Sequence, residues 1–262
     1  MSFQPIIAGN GLAGWAFLKR TLPAQSAAFE QSPALQRDTD YFSKKIGEID
    51  TAEQLVSDRR LLRVALGAFG LGADIDNSFF IRKILEEGTL SADALANKLA
   101  DTRYAKFSKA FGFGDFATPS TKLSDFPDRI VSAYRARQFE ISVGDQEESF
   151  RLALNAAREL EEIASSSSSD AAKWYTIMGS PPLRSVFETA LGLPPAFGQL
   201  DLDRQMQDFR DRLSGFSGSS EITQFDSEAS RDVLIQRFLL MSQIDTNIGM
   251  NSGQIALTLL QS

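Results

Sequence analysis

Apolar positions recur along this chain at helical spacing, in short runs that open on a polar cap and close on glycine. Ser32-Pro33 supplies an N-cap and a first helical residue, and Leu35, Phe42, Ile46 and Ile49 then fall on one face. Thr51-Ala52-Glu53-Gln54 has the spacing of a capping box. Leu55, Leu62, Leu66 and Phe69 follow, Gly70 is the stop, and a break is allowed near Ser57-Asp58. Asp76 or Asn77 opens a helix carrying Phe79, Phe80, Ile84 and Leu85, closed by Gly88. Ser91 opens the next, with Leu95 and Leu99. Asp101 or Thr102 opens another, with Tyr104, Phe107 and Phe111, closed by Gly112.

The middle is different. From about Pro127 to Ala164 the only glycine is Gly144, and Ile130, Tyr134, Phe150, Leu154 and Leu160 mark an apolar stripe. This predicts one long helix, or two joined near Val143-Gly144. Glu147 with Arg151, and Arg158 with Glu162, stand four apart, as helix-surface ion pairs do. The serine run 165–169 reads as a linker or loop. Past it, Asp170 caps a helix with Trp174 and Ile177. Gly179-Ser180-Pro181-Pro182 ends that helix and starts one with Leu183, Val186, Phe187 and Leu191, stopped at Gly192. Asp201 caps a helix with Met206, Phe209 and Leu213, and a last helix holds Val233, Leu234, Phe238 and Met241. Ile255, Leu257 and Leu259 alternate, which predicts a short strand at the tail.

The expected fold is therefore all-α: a multi-helix, bundle-like array of short capped helices with one or two long central helices. The expected organisation is a flexible or loosely packed N-terminal arm over residues 1–30, a helical domain over 31–164, the serine linker at 165–169, and a second helical subdomain over 170–262 packed on the first.

One pattern recurs. Ala68-Phe69-Gly70-Leu71, Ala110-Phe111-Gly112-Phe113 and Ala190-Leu191-Gly192-Leu193 share the order alanine, apolar, glycine, apolar. The last apolar side chain of a helix sits before a glycine stop, and the next folds back on the helix, as in a Schellman end. Convergent capping explains this, and so does residual duplication of a helical module.

Composition then narrows the function. The chain has no histidine and no cysteine, which removes thiol catalysis, disulfides, the usual serine triad and most structural zinc sites. Its net charge of −7 argues against a general nucleic-acid or anionic-membrane binder. Short basic runs such as Arg59-Arg60 read as solvated helix faces. No stretch approaches the ~20 apolar residues of a membrane span, and the start lacks the basic and apolar regions of a cleaved secretory signal. Twenty phenylalanines against two tryptophans and four tyrosines point to aromatics used as packing.

Candidate chemistry is sparse. Gly9-Asn10-Gly11-Leu12-Ala13-Gly14 matches the dinucleotide fingerprint, but alternating strands and helices and an acid about 20 residues on are needed. Pro23 and a helical pattern follow instead, so the segment reads as a glycine-rich start to an amphipathic stretch with Leu12, Trp15, Leu18 and Leu22. Asp74-Ile75-Asp76-Asn77 resembles the opening of a calcium loop but lacks its glycine and terminal glutamate, and reads as a turn with an N-cap. Carboxylates such as Glu147-Glu148, Glu161-Glu162, Asp201 and Asp203 belong to helix surfaces and helix starts. No cofactor, metal site or catalytic residue is expected.

From Met1 to Phe29 there is no acid, and Lys19 and Arg20 are the only charges. Such a start resembles the uncleaved entry segment of proteins exported by a type III apparatus. The stretch from Asp58 to Leu71, DRRLLRVALGAFGL, with Asn77 to Leu85, NSFFIRKIL, resembles an uncharacterised bacterial family, the domain of unknown function twelve-seventeen. The resemblance is best over residues 30–165. It carries no catalytic motif and implies a context, the bacterial flagellum.

The expectation is a non-enzymatic protein-binding or structural factor of flagellar assembly, export or motility. It would be cytoplasmic, or exported without a cleaved signal. Its partners would be proteins, flagellar components among them, with neither nucleic acid nor membrane insertion. The alternatives are a cytoplasmic chaperone or regulator of the same system, and an enzyme using carboxylate chemistry. The candidate partner-binding residues are the apolar ones of the termini: Trp15, Leu18, Ile244, Ile248 and Ile255.

Overall fold

A computed structural model describes residues 3–261, and their side chains except those of Pro195 and residues 245–261. Thirteen α-helices and no strand occur among the described residues, so the fold is all-α. In order they are α1 (Gly11–Glu30), α2 (Pro33–Lys45), α3 (Ala52–Ser57), α4 (Arg59–Ala68), α5 (Ser78–Glu87), α6 (Leu95–Lys98), α7 (Arg103–Phe111), α8 (Phe126–Gly144), α9 (Glu148–Ser165), α10 (Asp170–Met178), α11 (Pro181–Ala190), α12 (Leu202–Ser217) and α13 (Glu228–Gln261). None of them is long and apolar enough to cross a membrane. Residues 255–259, expected as a short strand, belong to α13. A lone strand would leave its backbone groups unpaired, whereas a helix satisfies its own.

The chain forms two compact units. The first comprises Met1–Ile6 and Thr21–Ser142, the second Ile7–Arg20 and Val143–Ser262. They part beside Val143-Gly144, where α8 ends, and not at the serine run, which lies inside the second unit. The expected loose arm is instead the 20-residue α1, which contributes to both units.

In the first unit, local caps set the helix starts. Thr51 and Gln54 complete a capping box: the Gln54 N–H donates to Thr51 Oγ1 at 3.2 Å, and the Thr51 N–H to Gln54 Oε1 at 3.2 Å. Asp58 is the N-cap of α4, its Oδ1 accepting from Arg60 N at 3.0 Å and Leu61 N at 3.1 Å. Phe107 is fully buried, with ring centroids 5.4 Å from Phe69 and 5.0 Å from Phe111. Phe111 in turn meets Phe126 at 5.1 Å. Leu62, Leu66, Ile81 and Ile84 belong to the same core. Of the apolar residues expected on α5, Phe79 is exposed, while Ile84 and Leu85 join Ile81 on the buried face.

In the second unit, Trp174 stacks on Phe209 at 5.8 Å and meets Phe187 edge-on at 5.6 Å, and its indole N–H donates to the Ser220 carbonyl at 3.1 Å. Ser169, not Asp170, is the N-cap of α10. Asp170 is drawn away from capping, because its carboxylate accepts from Ile222 N at 2.9 Å and pairs with Arg210. Trp15 and Leu18 of α1 are buried in this unit, Trp15 lying 5.9 Å from the Phe150 ring.

Candidate interaction face and arginine pocket

The last helix presents two faces. Leu234, Ile235, Phe238 and Leu239 are buried. Val233, Leu240 and Ile244 are 52%, 46% and 49% exposed. At about 100° per residue, positions 233, 237, 240 and 244 fall within about 60° of one another. They form a stripe opposite the buried arc, apolar at three positions and arginine at the fourth.

That arginine is held by the end of another helix. α11 closes in a Schellman motif: Gly192 N donates to Thr189 O at 3.1 Å and Leu193 N to Glu188 O at 2.9 Å, with Gly192 at φ +62°. Carbonyls at such an end have no helical partner and carry the negative end of the helix dipole. Arg237 donates its Nε to Ala190 O at 2.6 Å, and its guanidinium lies 4.8 Å from the Phe216 ring centroid. Arg212 donates Nη1 to Leu191 O at 3.0 Å and Gly192 O at 3.3 Å. Leu191, Arg212, Gly215, Phe216 and Arg237 line a pocket of about 360 Å³.

The first unit repeats the device. α4 ends in a Schellman motif, with Gly70 N to Gly67 O at 3.2 Å and Leu71 N to Leu66 O at 2.9 Å. Arg137 donates Nε to Ala68 O at 2.8 Å, and Arg103 donates Nη1 to Gly70 O at 2.6 Å. The third copy of the sequence pattern ends differently: Gly112 N bonds Ser108 O at 2.9 Å, a simple left-handed cap.

Of the residues expected to bind partners, Trp15 and Leu18 are buried core and not surface. Ile244 is on the exposed stripe. The side chains of Ile248 and Ile255 lie outside the described residues. Val233, expected on the last helix with Leu234 and Phe238, belongs to its exposed face. Arg212, Phe216 and Arg237 were not singled out from the sequence. Only the Gly192 helix end was, and helix-end spacing does not say which distant side chain caps it.

The other chemical motifs resolve into architecture. At Gly9 and Gly11 the backbone is left-handed and turns into α1, and a side chain on Gly14 would collide with the Gly9 carbonyl oxygen. Asp74 accepts from Asn77 Nδ2 at 2.8 Å and from the Tyr104 hydroxyl at 2.7 Å. Burial first, then that bond to Asp74, push the Tyr104 hydroxyl up to about 12. The buried Glu159 accepts from Asn155 Nδ2 at 3.0 Å and Ser180 Oγ at 3.4 Å, which ties α9 to the start of α11. Among the described residues no cluster of three or more Asp or Glu has the arrangement of a metal site.

The fold thus defines an all-α protein of two compact helical units, each with a glycine-ended helix clamped by two arginines. The chain belongs to the family described as "Protein of unknown function (DUF1217)", which matches residues 68–230. The matched span takes in α5 to α12 and includes Arg103, Arg137 and Arg212. A crystal structure of the protein AGR_C_984 from Agrobacterium tumefaciens is similar, with a TM-score of 0.74 and 24% identity over 92% of this chain and 97% of that one. At that identity the likeness speaks for the fold alone. No curated protein matches the sequence.

Proposed function

We propose that this protein is a non-enzymatic binding factor that pairs α13 with a helix of a protein partner. The observation that carries the reading is the exposed stripe Val233, Leu240 and Ile244 on a helix whose opposite face is core. Apolar positions spaced 7 and 4 apart on a helix are the seam along which helices pair. The family resemblance supplies a context, the bacterial flagellum, so the partner is a flagellar component and the role lies in assembly, export or motility. The test is co-purification from motile cells of the full chain against Leu240→Glu and Ile244→Glu. The expected result is loss of the partner with each variant at unchanged protein level. Retention of the same partner by both variants sinks the reading. Fractionating cells with and without a working flagellar export apparatus separates an exported component from a cytoplasmic chaperone, since only the former appears outside.

A further inference from the structure

We infer that the pocket at Arg212 and Arg237 receives a carboxylate side chain carried by the partner helix, while Val233, Leu240 and Ile244 take that helix's apolar residues. The inference rests on the helix-pairing reading and adds the chemistry of the occupant: an amphipathic helix with an Asp or Glu on its apolar seam.

The two arginine clamps differ in their counter-charge. In the first unit the clamp is closed by an acid. Arg103 donates Nε to both Asp101 oxygens at 3.0 Å, and Nη2 to Oδ2 at 2.6 Å. In the second unit, no ion pair among the described residues reaches Arg212 or Arg237. Each guanidinium has five N–H donors, and the bonds to Ala190, Leu191 and Gly192 occupy a minority of them.

The field has the right sign. The end of α11 contributes about half a negative charge, against two full positive charges on the arginines. The pocket is thus a positive spot on a chain of net charge −7. The Phe216 ring lies against the Arg237 guanidinium, and an arginine fork matches a carboxylate in bidentate fashion. Position 237 is also on the seam. A helix laid along 233, 240 and 244 covers it, and a covered arginine without a counter-charge opposes the pairing. A carboxylate on the partner removes that cost and fixes the register. Phosphate backbones are the poorer match, since the surroundings are an apolar stripe on an acidic protein.

The test places p-benzoylphenylalanine at position 240 of the full chain in its native cells, and identifies the cross-linked segment. That segment is then synthesised and its affinity measured against the chain. The segment is expected to hold an Asp or Glu among apolar residues at helical spacing. Neutralising that acid weakens binding at least about tenfold, and Arg237→Gln or Arg212→Gln does the same. The peptide and arginine changes together cost little more than either alone, as a shared contact requires. Tryptophan fluorescence checks folding, because both tryptophans lie in the second unit. If Arg237→Gln loosens that unit, Arg212→Glu against a peptide with Lys for its acid decides, with binding restored.

A segment without an acid, or fully additive losses, overturns the inference. Binding that Leu240→Glu abolishes but both arginine variants leave intact overturns the carboxylate pocket and keeps helix pairing. A cross-link to a second copy of this chain overturns the occupant. No cross-link, together with no effect of Leu240→Glu on partner recovery, overturns the helix reading itself.

Discussion

Arg137 donates its Nε to the carbonyl of Ala68 at 2.8 Å, across 69 residues of sequence. Arg237 makes the same bond to Ala190 at 2.6 Å. In each case the acceptor is the alanine that ends a helix, two residues before a left-handed glycine. The second arginine differs slightly, Arg103 bonding Gly70 and Arg212 bonding both Leu191 and Gly192. Shared helix ends can arise from capping alone. A shared long-range clamp on the same backbone atom favours duplication of a helical module.

The clamps make a stability prediction. A charge-assisted bond to a helix-end carbonyl contributes about 1–2 kcal/mol, the lower end where the arginine is exposed. Arg137→Met is expected to lower unfolding free energy by about 1–2 kcal/mol and the more exposed Arg237→Met by about 1 kcal/mol. Urea unfolding followed by circular dichroism measures both, and tryptophan fluorescence reports Arg237→Met. A loss below about 0.3 kcal/mol for both would show that the clamps do not stabilise their helices.

The glycines at the two ends are expected to rank. Gly70 has φ +71° and Gly192 has φ +62°, so a β-carbon at either costs about 1 kcal/mol or more. At Gly70 that carbon would also lie 3.2 Å from Arg137 Nη1 and 3.3 Å from Arg103 Nη1, whereas at Gly192 the nearest atom is Met241 Cε at 3.9 Å. Gly70→Ala should therefore destabilise more than Gly192→Ala in paired denaturation curves. The reverse order would mean that the arginines move aside freely.

Asp58 predicts a pH effect. Burial pushes its carboxyl up, but hydrogen bonds from the Tyr41 hydroxyl and the Leu61 and Arg60 N–H groups outweigh that and hold it below the usual 3.8. The Tyr41 hydroxyl donates at 2.7 Å. A depressed folded value means that stability from Asp58 is present above the unfolded value and lost as pH falls through the folded one. Asp58→Ala should cost about 1–2 kcal/mol near neutrality, and Asp58→Asn less, since an amide oxygen still caps. The gap between wild type and Asp58→Asn should shrink as pH falls below about 4. Unfolding at stepped pH measures it, and a gap that stays constant contradicts the assignment.

What the sequence made legible was local. The Thr51 box, the Ser57-Asp58 break, the join at Val143-Gly144 and the Gly70 and Gly192 stops depend on residues within one turn of each other. Their spacing therefore carries the information. What it hid was tertiary. Trp15 and Leu18 lie on an amphipathic stretch, and periodicity gives a face without saying what covers it. What covers Trp15 includes Phe150, more than a hundred residues away. Val233 and Leu234 are adjacent apolar residues of α13, yet one is exposed and the other core. The arginine clamps were invisible for the same reason, because their partners are distant backbone atoms with no residue signature.

The division of apolar residues between core and surface gives the last prediction. Leu18 is fully buried in the second unit, and Leu18→Ala should cost about 2–5 kcal/mol through lost burial and a cavity. Leu240 and Ile244 are about half exposed on the far side of α13, so a charge there meets water. Leu240→Glu and Ile244→Glu should change stability by no more than about 0.5 kcal/mol. If α13 pairs with a partner helix, the same two variants lose that partner while Leu18→Ala, at a temperature where it remains folded, retains it. Stability and partner recovery then separate cleanly along the chain. Loss of fold in Leu240→Glu would mean that the stripe is internal packing, and partner loss in Leu18→Ala at full folding would return the N-terminal helix to the binding surface.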